Sequence, residues 1–118
     1  MIPANAAPPK TIVVEYPGAE KRLREQYVYQ VYLSTSEMET KKIITGNRLL
    51  VKFRDEIVGE AQAILVEKTS LEKVSLYDAM SAGYETLDAM KTHLAGSVLR
   101  GARKPEHAEF WKILYRWL

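Results

Sequence analysis

Basic side chains are concentrated in one stretch of the chain. Between residues 41 and 54 there are five cations and no carboxylate. The net charge of the whole chain is only +2, so the distribution of charge is more informative than its sum. Cations neutralise phosphates and release counterions, which favours a polyanionic ligand bound in a salt-dependent way. The alternative is that these cations form an ordinary solvent-exposed face that binds no ligand. The five cations are Lys41, Lys42, Arg48, Lys52 and Arg54.

A second segment combines cations with aromatic rings. Lys21, Arg22 and Arg24 precede Tyr27 and Tyr29. A tyrosine ring that stacks on an unpaired base contributes about 1 to 3 kcal/mol, so the segment is compatible with single-stranded nucleic acid. The competing interpretation is that both tyrosines pack inside the protein.

Residues for other chemistries are missing or badly spaced. The chain has no cysteine, which excludes disulfides, thiol nucleophiles and thiolate metal sites. His93 and His107 are too far apart for a short metal-ligand pair, and His93 is expected near a helix C-terminus, where an imidazolium interacts favourably with the dipole. The adjacent carboxylates of Asp55 and Glu56 are interpreted as a hairpin turn. We therefore expect neither a metal nor a cofactor.

The composition is that of a folded globular protein. Hydrophobic residues make up 47% and charged residues 27% of the 118 residues, which excludes wholesale disorder and leaves room for one core. No apolar run is long enough to span a membrane. Three of the five prolines lie in residues 1–10, which predicts a disordered tail followed by a single domain over 11–118. Without cysteine or an export signal, the expected compartment is the cytoplasm.

Hydrophobic alternation predicts a mostly β chain. The runs 48–54 and 57–66 form the clearest hairpin, with Gly59 at a bulge or a close backbone approach. The last strand needs a partner, and closure of an antiparallel sheet supplies one. We therefore expect a small, partly open β-barrel with helices at its rim. Strands are predicted at 11–14, 27–33, 48–54, 57–66 and 109–117. Helices are predicted at 19–26, after the cap Ser75 up to Gly83, and from the cap Thr86 to Gly96. Gly83 is expected to supply the left-handed residue that ends its helix.

The order of these elements resembles that of ASCH domains, which are relatives of the PUA fold. Residues 45–51 and 58–63 are similar to the central hairpin of the family, 78–90 to its helix pair with a Gly-aromatic-x-x-Leu turn, and 110–117 to its closing strand. The resemblance extends from about Pro17 to the C-terminus. It implies an α+β fold, a small, mostly antiparallel PUA-like β-barrel with two to three short helices at the rim, and a cleft suited to RNA, nucleotides or modified nucleosides.

The motif that the family usually carries is not matched. In Gly-x-Lys-x-x-Glu-x-Arg, the nearest register here has Gln26, Tyr29 and Val31 in place of the three functional side chains. Some bacterial members resemble amidohydrolases of acetylated cytidine, which use that lysine, a nearby threonine and a later glutamate; the glutamate position falls near Gly83. Lys21 fits only after a shift along the sequence. No catalytic residue is carried over, and we lean towards a protein that is not an enzyme.

The leading hypothesis is a noncatalytic RNA-binding or nucleotide-recognition module that binds through a basic cleft. The alternatives are a hydrolase acting on RNA or a modified nucleoside, either a ribonuclease or an acetylcytidine amidohydrolase, and a protein-interaction barrel. The sequence predicts no oligomeric state. The hypothesis requires the cations of separate segments to converge. The predicted nucleic-acid-binding residues are Lys21, Arg22, Arg24, Tyr27, Tyr29, Lys41, Lys42, Arg48, Lys52 and Arg54.

Overall fold

A computed structural model describes residues 7–118, and a five-stranded mixed sheet is its framework. The strands are Lys10–Val14 (β1), Gln30–Leu33 (β2), Arg48–Phe53 (β3), Glu56–Ser70 (β4) and Glu109–Trp117 (β5). They lie in the order β1-β3-β4-β5-β2, with β1 parallel to β3 and the other pairs antiparallel. The 15-residue β4 pairs with β3 through its first half and with β5 through its second. The sheet therefore forms a half-barrel whose edge strands are β1 and β2.

Short helices surround this sheet, as expected for an α+β fold. In the described residues the α-helices are Glu20–Arg24 (α1), Thr35–Lys41 (α2), Leu76–Ser81 (α3) and Leu87–Gly96 (α4). Short 3-10 turns at Pro17–Ala19 and Pro105–His107 precede α1 and β5. None of the helices that the structure describes is long and apolar enough to cross a membrane.

Two apolar clusters pack on the two faces of the sheet. The alternation of β3 places Leu49, Val51 and Phe53 inside the half-barrel, as the sequence predicts. Phe110 on β5 faces outward instead and contacts the ring of Tyr32 edge-on, beneath α3 and α4. The inner cluster includes Ile12, Val14, Leu23, Val28, Leu49, Val51, Phe53, Ile113 and Tyr115. The outer cluster includes Tyr32, Leu71, Val74, Ala79, Met90, Leu94 and Phe110.

Two glycines have the roles that the sequence assigns to them. Next to Gly59 the β3–β4 register shifts, and a Cβ at Gly59 would lie 3.2 Å from the Trp117 ring. Gly83 follows α3 with a φ of +90°, and a Cβ there would lie 2.6 Å from the Cβ of Ala19. Both the bulge and the close backbone approach are therefore present at Gly59, and Gly83 supplies the left-handed conformation that ends α3.

Helix α2 is absent from the sequence prediction. Of its seven residues only Met38 is buried, so no hydrophobic period marks it. The signal is instead a capping box: Ser34 Oγ accepts from the Glu37 N–H at 3.1 Å, and the Glu37 carboxylate accepts from the Ser34 N–H at 3.2 Å. Lys41 and Lys42 therefore lie at the end of a helix rather than in a segment leading into β3.

Several predicted boundaries also differ. Strand β2 begins at Gln30 rather than residue 27, because the Tyr29 N–H donates to Ser81 O and only the Tyr29 C=O still pairs with β5. Helix α1 ends at Arg24, and Gln26 then adopts a left-handed φ of +62°. Strand β4 continues to Ser70, beyond its predicted end. The predicted tail lies mostly outside the described residues, and β1 already includes Lys10.

Candidate functional site

A cleft of about 720 Å³ opens where the two edge strands face each other. Strands β1 and β2 approach from opposite sides without forming a ladder, and residues of α2 and α4 complete the walls. The cleft is therefore the unclosed seam of the half-barrel. Residues that line it include Val13, Tyr16, Gln30, Tyr32, Tyr84 and His93.

Backbone groups of both edge strands point into this cleft. The Val14 C=O accepts from the Arg54 N–H on the β3 side, whereas the Thr11 C=O accepts from Lys41 Nζ at 2.8 Å on the other side. Because backbone direction alternates along a strand, the N–H and C=O of Val13 also face the cleft. On the opposite edge, Tyr29 O pairs with the Tyr115 N–H of β5, so the backbone groups of Gln30 point into the cleft.

An aromatic cluster forms one wall of the cleft. The Tyr16 ring lies 4.5 Å from that of Tyr84 and 5.1 Å from that of His93, centroid to centroid. The Tyr84 hydroxyl is 2.7 Å from His93 Nδ1. Burial raises the pKa of Tyr84, and burial lowers the pKa of His93 although the charge of Glu15 opposes that shift. Both shifts favour the neutral side chains. His93 lies in the last turn of α4, as expected, but its burial disfavours the imidazolium that the helix dipole would stabilise.

A buried polar network holds the β2 wall in place. Gln30 Oε1 accepts from the Tyr32 hydroxyl at 2.6 Å, and its Nε2 donates to Asp78 Oδ1 at 3.2 Å. Asp78 also accepts from Lys112 Nζ at 3.5 Å and from the Ser75 N–H at 3.0 Å. Because both ends of the Gln30 amide are occupied, its side chain has one orientation in the cleft wall.

The charges of the cleft continue into a neighbouring depression. The cleft itself is lined by the cations Lys41 and Arg100 and by the carboxylates Glu15 and Glu37. Val13 and Glu15 also line a shallower depression of about 480 Å³ with Lys52, Arg54 and Asp55. The cleft and this depression are hereafter called the seam groove. The groove contains charges of both signs, with cations in a slight excess.

Comparisons with known proteins identify the fold. No family model matches the sequence, and no curated protein matches it. A DUF984 protein of Enterococcus faecalis V583 superposes with a TM-score of 0.61 at 16% identity, covering 93% of this chain and 76% of that one. The ASCH domain of Lactobacillus crispatus JV V101 superposes with a TM-score of 0.61 at 10% identity, covering 92% of this chain and 79% of that domain. The chain has an ASCH-like fold.

This ASCH-like fold brings three of the ten predicted binding residues to the seam groove, namely Lys41, Lys52 and Arg54. Arg48 forms an ion pair with Glu60, one strand away. Lys42 is exposed where α2 ends in a left-handed conformation. The cations predicted to converge are therefore distributed over more than one surface.

The predicted residues around α1 are also outside the lining of the seam groove. Arg24 forms ion pairs with Glu20 and Glu56, and hydrogen bonds to these carboxylates raise its pKa. Arg22 donates to Tyr84 O at 3.5 Å, and Lys21 is exposed on the same helix. Tyr27 is 60% and Tyr29 40% exposed, so the interpretation that they pack inside the protein is wrong. Tyr29 lines a separate groove.

Most residues of the cleft wall are absent from the set predicted from the sequence. Gln30 carries a usable signal, because it is a polar residue within a β-branched and aromatic strand and therefore needs buried partners. Tyr16 and Tyr84 lie far apart in sequence and meet only after folding. Among residues 7–118, no group of three or more His, Asp or Glu side chains is arranged to hold a metal ion.

Proposed function

We propose that this ASCH-like chain is a noncatalytic module that recognises RNA or a nucleotide in the seam groove. The observation that carries the proposal is an aromatic-walled cleft that continues into a depression with two available cations. The half-buried ring of Tyr16, which packs against Tyr84 and His93, offers a surface for an unpaired base. In the described part of the chain Lys52 and Arg54 form no ion pair, so both are available to phosphate oxygens.

Charge in the groove favours binding of moderate strength. Lys41, Arg100, Lys52 and Arg54 are opposed by three carboxylates, those of Glu15, Glu37 and Asp55. A polyanion gains from the cations through counterion release, whereas nearby carboxylates repel it. A short single strand or a nucleotide fits this balance better than a long duplex, because a duplex requires a larger basic surface.

The positions that would carry family-type catalysis do not meet in this groove. Gln26, which stands where the family motif has lysine, lines the separate groove near Trp117. Gly83, near the position of the family glutamate, packs against Ala19. An amidohydrolase of that type needs an activated lysine and an acid at one place. The arrangement of these positions therefore supports recognition without hydrolysis.

The test is the salt dependence of binding to a fluorescent single-stranded oligoribonucleotide, followed by anisotropy. Each phosphate contact contributes about −0.7 to the slope of log K against log salt for a single strand. The Lys52→Ala/Arg54→Ala variant should therefore flatten the slope by about 1.4 if both cations contact phosphates. The matched control is Arg103→Ala/Lys104→Ala, which removes the same charge from two exposed residues outside the lining of the groove.

Three outcomes would contradict the proposal. The first is no binding at low salt, and the second is an unchanged slope in Lys52→Ala/Arg54→Ala. The third is an equal change in the control, which would indicate an effect of net charge alone. Mass spectrometry of the recovered RNA, and of an acetylcytidine sample incubated with the protein, tests the noncatalytic part: both should be recovered intact.

A further inference from the structure

A second groove of about 500 Å³ lies where β4, β5 and α3 meet. Ile64 comes from β4, Leu114 and Arg116 from β5, Tyr77 from α3, and Tyr29 from the segment before β2. We call it the tyrosine groove. The proposed function does not use it, and of the ten predicted binding residues only Tyr29 lines it.

Large apolar side chains remain exposed around the tyrosine groove. Tyr77 is 72% exposed, Ile64 45% and Tyr29 40%. A register shift between Ala63 and Leu65 leaves Ile64 as an additional residue on β4, and such bulges redirect side chains. Clustered exposed apolar groups are unfavourable in water and mark contact surfaces.

A fixed and uncompensated cation lies in the same groove. Arg116 Nε and Nη2 donate to Gln62 Oε1 at 3.2 and 2.8 Å. Because the acceptor is a neutral amide, these hydrogen bonds orient the guanidinium without placing a negative charge beside it. No carboxylate of residues 7–118 forms an ion pair with Arg116, and Nη1 keeps donors for an anion.

We propose that the tyrosine groove is a second nucleotide subsite, which takes an unpaired base against Tyr77 and Tyr29 and a phosphate on Arg116. Aromatic faces beside one free guanidinium complement the two parts of a nucleotide. The inference rests on the proposed function, because one RNA strand would occupy both grooves. Tyr29 lines the tyrosine groove and is adjacent in sequence to Gln30, which lines the cleft. The tyrosine groove thus extends the RNA-binding surface beyond the seam groove.

The test measures binding of a ten-nucleotide oligouridylate by anisotropy for Tyr77→Ala and Arg116→Gln. Tyr77→Ala should weaken binding about fivefold to 140-fold, the range for loss of one stacked base. Tyr27→Ala is the matched control, since it removes another tyrosine that is more than half exposed, outside the groove lining, and should change affinity about twofold at most. A second readout is the NMR signal of each of the two indole N–H groups. Trp117 lines the groove and Trp111 does not. The RNA-induced shift of the Trp117 signal should therefore be lost in Tyr77→Ala, whereas the Trp111 signal should behave as it does in the unmodified protein.

Failures of the two proposals are distinguishable. If Lys52→Ala/Arg54→Ala weakens binding while Tyr77→Ala and Arg116→Gln bind as the unmodified protein does, the second subsite is refuted and the seam groove stands. The converse pattern supports the subsite and refutes the seam groove. Light scattering tests whether a second copy of the chain occupies the tyrosine groove instead. A dimer that Tyr77→Ala converts to a monomer, with RNA affinity unchanged, would assign the groove to that second copy and overturn the proposal.

Discussion

The sharpest stability prediction concerns Asp78, which joins the cleft wall to α3. Its side chain is 12% exposed. Oδ1 accepts from Gln30 Nε2 and Lys112 Nζ, and Oδ2 accepts from the N–H and Oγ of Ser75. In Asp78→Asn one of these two oxygens becomes an NH₂ donor. Whichever way the amide turns, donors on one side then lose their acceptor.

The expected loss follows from these contacts. Hydrogen bonds to a charged group contribute about 1.5 to 3 kcal/mol, and a buried donor left without an acceptor costs about 1 to 3 kcal/mol. Because one side of the network survives in Asp78→Asn, we expect the free energy of unfolding to fall by about 2 to 4 kcal/mol at pH 7. Gln30 should also lose its fixed orientation, which would shift amide NMR signals along β2.

The pH dependence supplies a second measurement. Burial raises the pKa of Asp78, but hydrogen bonds from Ser75 and Gln30 and the charge of Lys112 outweigh it, so the pKa lies below its usual value of 3.8. The unfolded state therefore binds a proton first as the pH falls. The stabilisation is complete above about pH 5 and is lost as the pH falls through the lowered pKa. The difference between the unmodified protein and Asp78→Asn should shrink over that interval.

Urea unfolding followed by tryptophan fluorescence gives both quantities. Asp88→Asn is the control, because Asp88 is an exposed carboxylate in the first turn of α4 and its loss should cost less than about 1 kcal/mol. An Asp78→Asn protein within about 0.5 kcal/mol of the unmodified chain at pH 7 would refute the role assigned to the network, since surface changes fall in that range.

Two further predictions concern Gly83 and His93. Gly83→Ala should lower the free energy of unfolding by about 2 to 4 kcal/mol, because the added Cβ is strained at a φ of +90° and also overlaps Ala19. Thermal unfolding measures this loss. The control is Gly96→Ala, where a Cβ meets nothing within 4 Å, and its loss of stability should be far smaller. Since burial lowers the pKa of His93 below 6.5, the unfolded state takes up its proton first, and stability should decline as the pH falls below about 6.5. His93→Gln should remove part of that decline in urea titrations between pH 7 and 5.5. An equal decline in the unmodified protein and in His93→Gln would show that His93 is not the responsible group.

Much of the fold follows from local pattern in the sequence. The β3–β4 hairpin, the strand at 109–117, the caps at Ser75 and Thr86 and the left-handed Gly83 are all confirmed. Each depends on a period of two or on the chemistry of one or two neighbouring residues. Such signals are readable without knowledge of long-range contacts. Helix α2 shows the limit, because a helix with one buried residue has almost no period to detect.

The composition of the candidate sites depends on contacts between distant segments. Arg48 and Lys52 share one face of β3 and look equivalent in sequence, yet Glu60 on the paired strand neutralises the first and leaves the second available. Tyr16 meets Tyr84 and His93 in one cleft although three α-helices and three strands separate it from them in the chain. The sequence by itself determined the β3–β4 hairpin, the terminal strand and which face of β3 is apolar. Only the tertiary structure decided which charges are paired and where the sheet stays open, because ion pairing and sheet closure depend on distances between segments that local periodicity does not encode.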